Sequence, residues 1–224
     1  MSTLLITIVP SILILLYFFL SDKFKEPKIS IAIVFFLGIL ICLPAGIINS
    51  FMENNFKDVF SERLLHSFLG PAWSEEFLKF IILYLIVLRR NEFNEPMDGI
   101  VYGVVVSLGF ATFENYDYVF RLAEHWEIEP YQMAIWRSYS AVPMHGLNGC
   151  IMGFYFGMYA FTANKKYLIL CLLIPFVIHG LYNFLSYPYH FSILGILAIY
   201  SIILHSNFKK LQSTKKAESE IKKI

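Results

Sequence analysis

The chain has 224 residues, of which 57% are hydrophobic and only 16% charged, with a formal net charge of +1 and a mean hydropathy of +0.60. A soluble domain carries nearer a quarter of its residues charged, so a water-soluble globular protein is excluded; the net charge says little about partners, because the lysines and arginines are unevenly placed, and nothing in the sequence suggests nucleic acid. Cys42, Cys150 and Cys171 lie in apolar runs without CxxC spacing, which leaves no disulfide framework or thiolate metal site and makes them small packing residues.

Apolar runs predict seven transmembrane helices, near 3–20, 29–52, 65–88, 99–120, 138–163, 167–185 and 191–207; each is long enough for the hydrocarbon core. The expected fold is therefore an all-α polytopic bundle in a cell membrane. The first run lacks the basic start and small-residue cleavage site of a secretory signal, so it is expected to stay as a helix. Only short polar breaks separate the runs. Residues 1–224 thus read as a single membrane-embedded domain, with a functional core at about 65–185 and a basic tail at 208–224.

Seven helices place about 13 lysines and arginines on one side and about 4 on the other, the latter being Lys57, Arg63, Arg121 and Arg137. The positive-inside rule then predicts an outside N-terminus and a cytoplasmic C-terminus. Trp126, Tyr131, Trp136 and Tyr139 read as an outer aromatic belt, and the lysine-rich tail as an anchor against anionic lipid.

Charges inside the apolar runs need a separate reason, because one near the bilayer centre costs about 2.5 to 3.5 kcal/mol even on a lenient scale. The third helix holds Glu75, Glu76 and Lys79, the fourth Glu114, the fifth His145 and Asn148, and the sixth His179 and Asn183. At about 1.5 Å per residue, helices running in opposite directions bring these groups to one layer in the outer half of the bilayer. Pro71, Pro143 and Pro175 precede Glu75, His145 and His179 by two to four residues, and each is expected to bend its helix and open a hydrated cavity. His145, Gly149, Gly153 and Gly157 step down one helix face, where small residues allow a close neighbour. Glu75 and Lys79 have the favoured i, i+4 orientation for an ion pair, yet one lysine cannot neutralise two carboxylates. A glutamate so placed can serve as a general base, and imidazole can orient water or stabilise an oxyanion. His66, His125, His190 and His205 read as interface residues. No GxSxG, HExxH or base-paired serine or cysteine occurs, which leaves attack by activated water.

The motifs EExxK (Glu75, Glu76, Lys79), FExxxY (Phe113, Glu114, Tyr118), HxxxG (His145, Gly149) and a final histidine with Asn183 four residues on together resemble the PrsW family of glutamic-type intramembrane proteases. More distantly they are similar to CAAX prenyl endopeptidases and bacteriocin-processing membrane proteases. The resemblance covers roughly residues 65–185. It implies an endopeptidase that cuts a single-pass membrane protein, such as an anti-sigma factor, near the outer face. It also implies a catalytic carboxylate from Glu75 and Glu76, leaning toward Glu75, with His145 and His179 orienting water or holding an oxyanion. Lys79, Glu114, Tyr118 and Asn183 would complete the shell. Lys79 and the Glu114 to Tyr118 spacing depart from the CAAX-type pattern, which argues against prenylated substrates. No cofactor is expected. Lys79 beside both glutamates repels a cation, and no pair of candidate ligands has helical metal-site spacing, so the expected mechanism is metal-free. The competing class is a proton- or ion-coupled transporter, disfavoured because the charged helices are consecutive and unlike one another.

Overall fold

A computed structural model describes residues 2–56, 58, 62–185 and 189–221; Lys57 and the tail lysines Lys222 and Lys223 lie outside them. The described residues form an all-α bundle. Its main helices are α1 (Thr3–Ser21), α2 (Lys28–Leu40), α3 (Cys42–Asn55), α4 (Trp73–Leu85), α5 (Pro96–Asp117), α6 (Pro130–Tyr139), α7 (Ala141–Thr162), α8 (Lys165–Phe184) and α9 (Tyr189–Ile221). Among the described residues, five helical stretches are long and apolar enough to cross a membrane: Thr3–Ser21, Lys28–Asn55, Pro96–Leu122, Lys165–Phe184 and Tyr189–Thr214. The two remaining predicted spans, the third and fifth, hold α4 and α7, whose apolar character is diluted by the polar groups they carry.

Differences from the expected boundaries have local causes. The second predicted span divides at Ile41, because Pro44 has no N–H to give the Leu40 carbonyl. The fifth begins at Ala141 rather than 138. Pro143 therefore falls in a first helical turn, where its missing donor costs nothing, and the expected break lies three residues ahead of it, at Ser140 (φ −122°, ψ −76°), because Pro143 has no N–H to give the Tyr139 carbonyl. The segment ahead of it, expected to be an outer loop, forms the separate helix α6. His205, read as an interface residue, is buried. It bonds Ser21 Oγ at 2.9 Å and packs on Phe18, tying α9 to α1.

The core is organised around α5, which is buried along nearly its whole length. A helix apolar on all sides belongs at the centre of a bundle. Its neighbour α7 runs antiparallel and approaches through glycine: a Cβ on Gly153 would lie 2.1 Å from Gly99 O, and one on Gly103 would lie 2.4 Å from Gly149 O. The four-residue glycine step predicted to admit a close neighbour thus meets a matching step in α5. Gly153→Val is expected to force these backbones apart and to cost at least the 1 to 3 kcal/mol (about) of an overpacked core, read as a lower melting temperature in detergent with helical content retained.

Candidate active site

The site begins with a failed helix. Arg63–Ser67 is followed by a wide turn at Phe68–Ala72 in which Gly70 adopts φ −84°, ψ −120°. Pro71 contributes no N–H there. The chain can turn so tightly against α8 because residue 180 is glycine; a Cβ there would fall 2.3 Å from the Phe68 ring. The helix restarts at Trp73, which puts Glu75 and Glu76 in the first turn of α4, where backbone N–H dipoles favour carboxylates. Glu114 lies in the last turn of α5, His145 in the second turn of α7, and His179 near the end of α8. All four helices therefore present their polar groups within two turns of the same end of the bundle.

These groups form one connected network. Lys79 Nζ is wholly buried and donates to Glu76 Oε1 at 2.8 Å and to His145 Nδ1 at 3.1 Å. It also sits over the Phe110 ring, 4.5 Å from its centre. Glu75 Oε2 is 3.9 Å from Nζ, so the i, i+3 partner takes the short contact and the i, i+4 partner the long one. An ammonium has only donors, so His145 Nδ1 is an acceptor and the ring carries its proton on Nε2. That proton is given to Glu114 Oε2 at 3.1 Å. Glu114 Oε2 also accepts from Arg137 Nη2 at 2.6 Å. On the other flank, His179 Nδ1 donates to Glu76 Oε1 at 2.9 Å. His179 Nε2 then keeps its lone pair and faces Glu75 Oε2 at 4.0 Å. Glu75 Oε2 is buried and has no hydrogen-bond partner among the described residues.

Two cavities meet at Glu75. One of about 280 Å³ is lined by Glu75, Glu114, His145, His179 and Asn183. The other, about 670 Å³, runs from Glu75 to the Ala45, Gly46 and Asn49 face of α3. Pro71, Glu114 and Tyr118 line both, whereas Glu76 lines neither. The paired glutamates, equivalent in sequence, are thereby separated: Glu75 faces open space and Glu76 faces Lys79 and His179. Sequence reasoning missed Arg137, assigned to an outer loop. Its side chain is only 13% exposed, bonds Glu114 and Asn115 Oδ1 and lies 3.8 Å above the Tyr118 ring. The available signal was a lone arginine beside a run of aromatics and facing an intramembrane glutamate. His66 and His190, also read as interface residues, line the smaller cavity. Asn148 instead donates to Pro175 O at 3.0 Å and joins α7 to α8.

Ligand atoms of Glu75, His145 and His179 lie within 4.8 Å of one another, which is the scale of a divalent-cation site. The hydrogen bonds among these groups commit part of that donor set. His145 has no lone pair to offer while Lys79 occupies Nδ1 and the Nε2 proton is given to Glu114. The remaining pair stands 4.0 Å apart, against about 3.4 Å for two ligands on tetrahedral zinc.

A bundle of apolar helices closed around such a network, with cavities leading to it, is an integral membrane protein with an internal polar centre. The chain belongs to the PrsW family: the family model described as "PrsW family intramembrane metalloprotease" matches residues 26–206. It is similar to Protease PrsW of Bacillus subtilis, 39% identical over 183 residues covering 80% of this chain and 79% of the relative. It is 38% identical to Protease PrsW of Geobacillus kaustophilus over 181 residues, 80% and 76% of the two chains. Protease PrsW of Clostridioides difficile is 32% identical over 216 residues, 93% and 89%. No solved structure matches the chain. The chain is thus a multi-pass membrane protein of an intramembrane protease family, and the transporter alternative is not favoured.

Removing Arg137 would leave Glu114 a largely buried carboxylate without its strongest partner. Arg137→Met is expected to destabilise the protein by about 3 to 5 kcal/mol, and adding Glu114→Gln should recover most of that loss in thermal unfolding of the double variant.

Proposed function

We propose that the chain is an endopeptidase that cuts a single-pass membrane protein by attack of water activated at Glu75. The observation that carries this reading is the gap between Glu75 Oε2 and His179 Nε2, two acceptors facing each other at 4.0 Å with no donor supplied to Glu75 Oε2 by the described residues. A water donating one hydrogen to each acceptor spans about 4.4 Å at ordinary hydrogen-bond lengths. Glu76 holds the tautomer of His179 that keeps Nε2 free for this task. Glu75 takes a proton as the water oxygen attacks the peptide carbonyl, then returns it to the leaving amine. Asn183, on the His179 wall of the cavity, supplies an amide donor for the carbonyl oxygen. Lys79 compensates Glu76 and leaves Glu75 the less neutralised carboxylate.

Family membership supports a membrane-protein substrate, and an anti-sigma factor is the expected kind. A helical peptide bond is shielded by its own hydrogen bonds, so the target must unwind where water reaches it. With the N-terminus outside and the C-terminus in the cytoplasm, the cut falls near the outer face. Labelling of Glu124→Cys before permeabilisation and of Lys166→Cys only after it is expected; the reverse pattern overturns the orientation.

Glu75→Gln should lower cleavage by about 10²- to 10⁴-fold with melting unchanged. Glu76→Gln should lower cleavage and melting together, because it strips Lys79 of its close partner. Fragments of co-expressed single-pass proteins read by mass, alongside thermal unfolding, separate the two.

The matched family is described as a metalloprotease, and the donor geometry above supports a reading without a cation, so no step is drawn through one. Purified protein stripped by a strong chelator is expected to keep its activity. Loss on stripping with recovery by one equivalent of metal would reassign Glu75, His145 and His179 as ligands.

A further inference from the structure

The larger of the two cavities has a wall, supplied by α3, that the chemistry at Glu75 does not explain. Just before that wall in the chain, α2 and α5 touch through glycine: a Cβ on Gly38 would lie 2.3 Å from Val106 O, and one on Gly109 would lie 2.1 Å from Phe35 O. Cys42 Sγ still reaches the Phe110 carbonyl at 3.4 Å. The seam ends there, because the helix breaks at Ile41 and restarts as α3. One turn past Cys42, a Cβ on Gly46 would meet nothing within 4 Å. The space so opened between α3 and α5 is the cavity of about 670 Å³, inside the range of about 300 to 1,000 Å³ usual for ligand pockets.

Glycine inside a helix is less stable than alanine, and Gly38 offsets that through the close approach of α5. Gly46 has no such neighbour, and its missing side chain leaves room against an apolar wall that includes Phe110 and Phe113. Leu43 and Ile47, which also line the cavity, are 61% and 70% exposed, so the space opens sideways onto the outer surface of the bundle. Two polar groups distinguish its occupant from a lipid chain. Glu75 Oε2 is buried there without a hydrogen-bond partner among the described residues. Asn49, three residues after Gly46 and on the same helix face, lines the cavity too. Its Oδ1 accepts from Ser74 Oγ at 2.7 Å, which fixes the amide and leaves the Nδ2 protons for an occupant. An unwound peptide at membrane depth carries backbone carbonyls that need such donors, whereas an acyl chain has nothing to accept them.

We propose that the larger cavity seats the unwound stretch of the substrate on one side of the bond cut at Glu75, with Asn49 Nδ2 donating to a backbone carbonyl and the open space over Gly46 taking a large apolar side chain. Gly46 is then a specificity-determining position, and Asn49 a substrate-binding one. The smaller cavity, about 280 Å³ and shared with the attacking water, takes the other side of the bond. All of this rests on proteolysis at Glu75: without a cut there is no bond for these walls to select, so one experiment reads both.

The full chain, purified in detergent, is mixed with a single-pass test protein randomised at both ends of its membrane span, and the fragments are read by mass. The parent is expected to cut members with Leu, Ile, Met or Phe at one fixed distance from the cut at least about 10-fold better than members with Gly or Ala there. Gly46→Leu fills the space and should reverse that preference. It should melt no lower than the parent, because leucine is the better helix former and its Cβ meets no atom of the fold. Should leucine close the cavity altogether, Gly46→Ala gives the same reading with a smaller shift. Asn49→Leu should lower cutting of every member by a common factor of about 3 to 10, the loss of one hydrogen bond, and leave the size preference as it was. A parent without a size preference overturns the proposal, and so do Gly46 variants that keep the parent's preference; the proteolytic reading survives both results. A folded parent that cuts no member removes the proteolytic reading, and the proposal with it.

Discussion

Everything at this site depends on Lys79, an ammonium with no exposure to water. Such a group is tolerable only when its three protons find partners. Glu76 and His145 accept two of them, Glu75 is within reach of the charge, and the Phe110 ring lies beneath it. The consequences run outward from that need. Accepting from Lys79 fixes the His145 tautomer and so directs a proton at Glu114. Pairing with Lys79 fixes Glu76 Oε1 where it also accepts from His179. One buried positive charge thereby sets the state of four other side chains and leaves Glu75 as the carboxylate facing the cavities.

Backbone geometry makes that arrangement possible. The break at Gly70 and Pro71 turns what would have been one long helix into a fresh helical start beneath the glutamates. The glycine seam between α5 and α7 brings Glu114 and His145 within bonding distance, because helices separated by ordinary side chains stand about 8 to 10 Å apart. Arg137 closes the ring from α6, joining Glu114 to Asn115, whose amide reaches the Thr7 carbonyl of α1. Parts of the chain far from the glutamates therefore help hold them.

The helical bundle and the meeting of its polar residues were legible because both rest on repeating patterns: apolar length for the spans, and charge where lipid forbids it for Glu75, Glu76, Lys79, Glu114, His145 and His179. The glycine step in α7 was legible for the same reason. What escaped was specific to tertiary placement. Arg137 carries no periodic signature, and its role exists only because α6 folds back over Tyr118. His205 lies near the end of its apolar run in sequence but inside the protein in space, since α9 continues well past it. The two glutamates are adjacent in sequence, and only the direction each side chain takes tells them apart.

The polarity of α7 bears on how the protein is made. This helix has the length to cross a bilayer but is not among the described stretches apolar enough to do so by their own composition. Its glycine face gains contact from α5 that lipid chains do not supply, and α5 precedes it in the chain. His179 arrives later still, on α8. A ribosome-bound chain thus carries Glu75 and Glu76 into the membrane before the helices that bear His145 and His179 have been made.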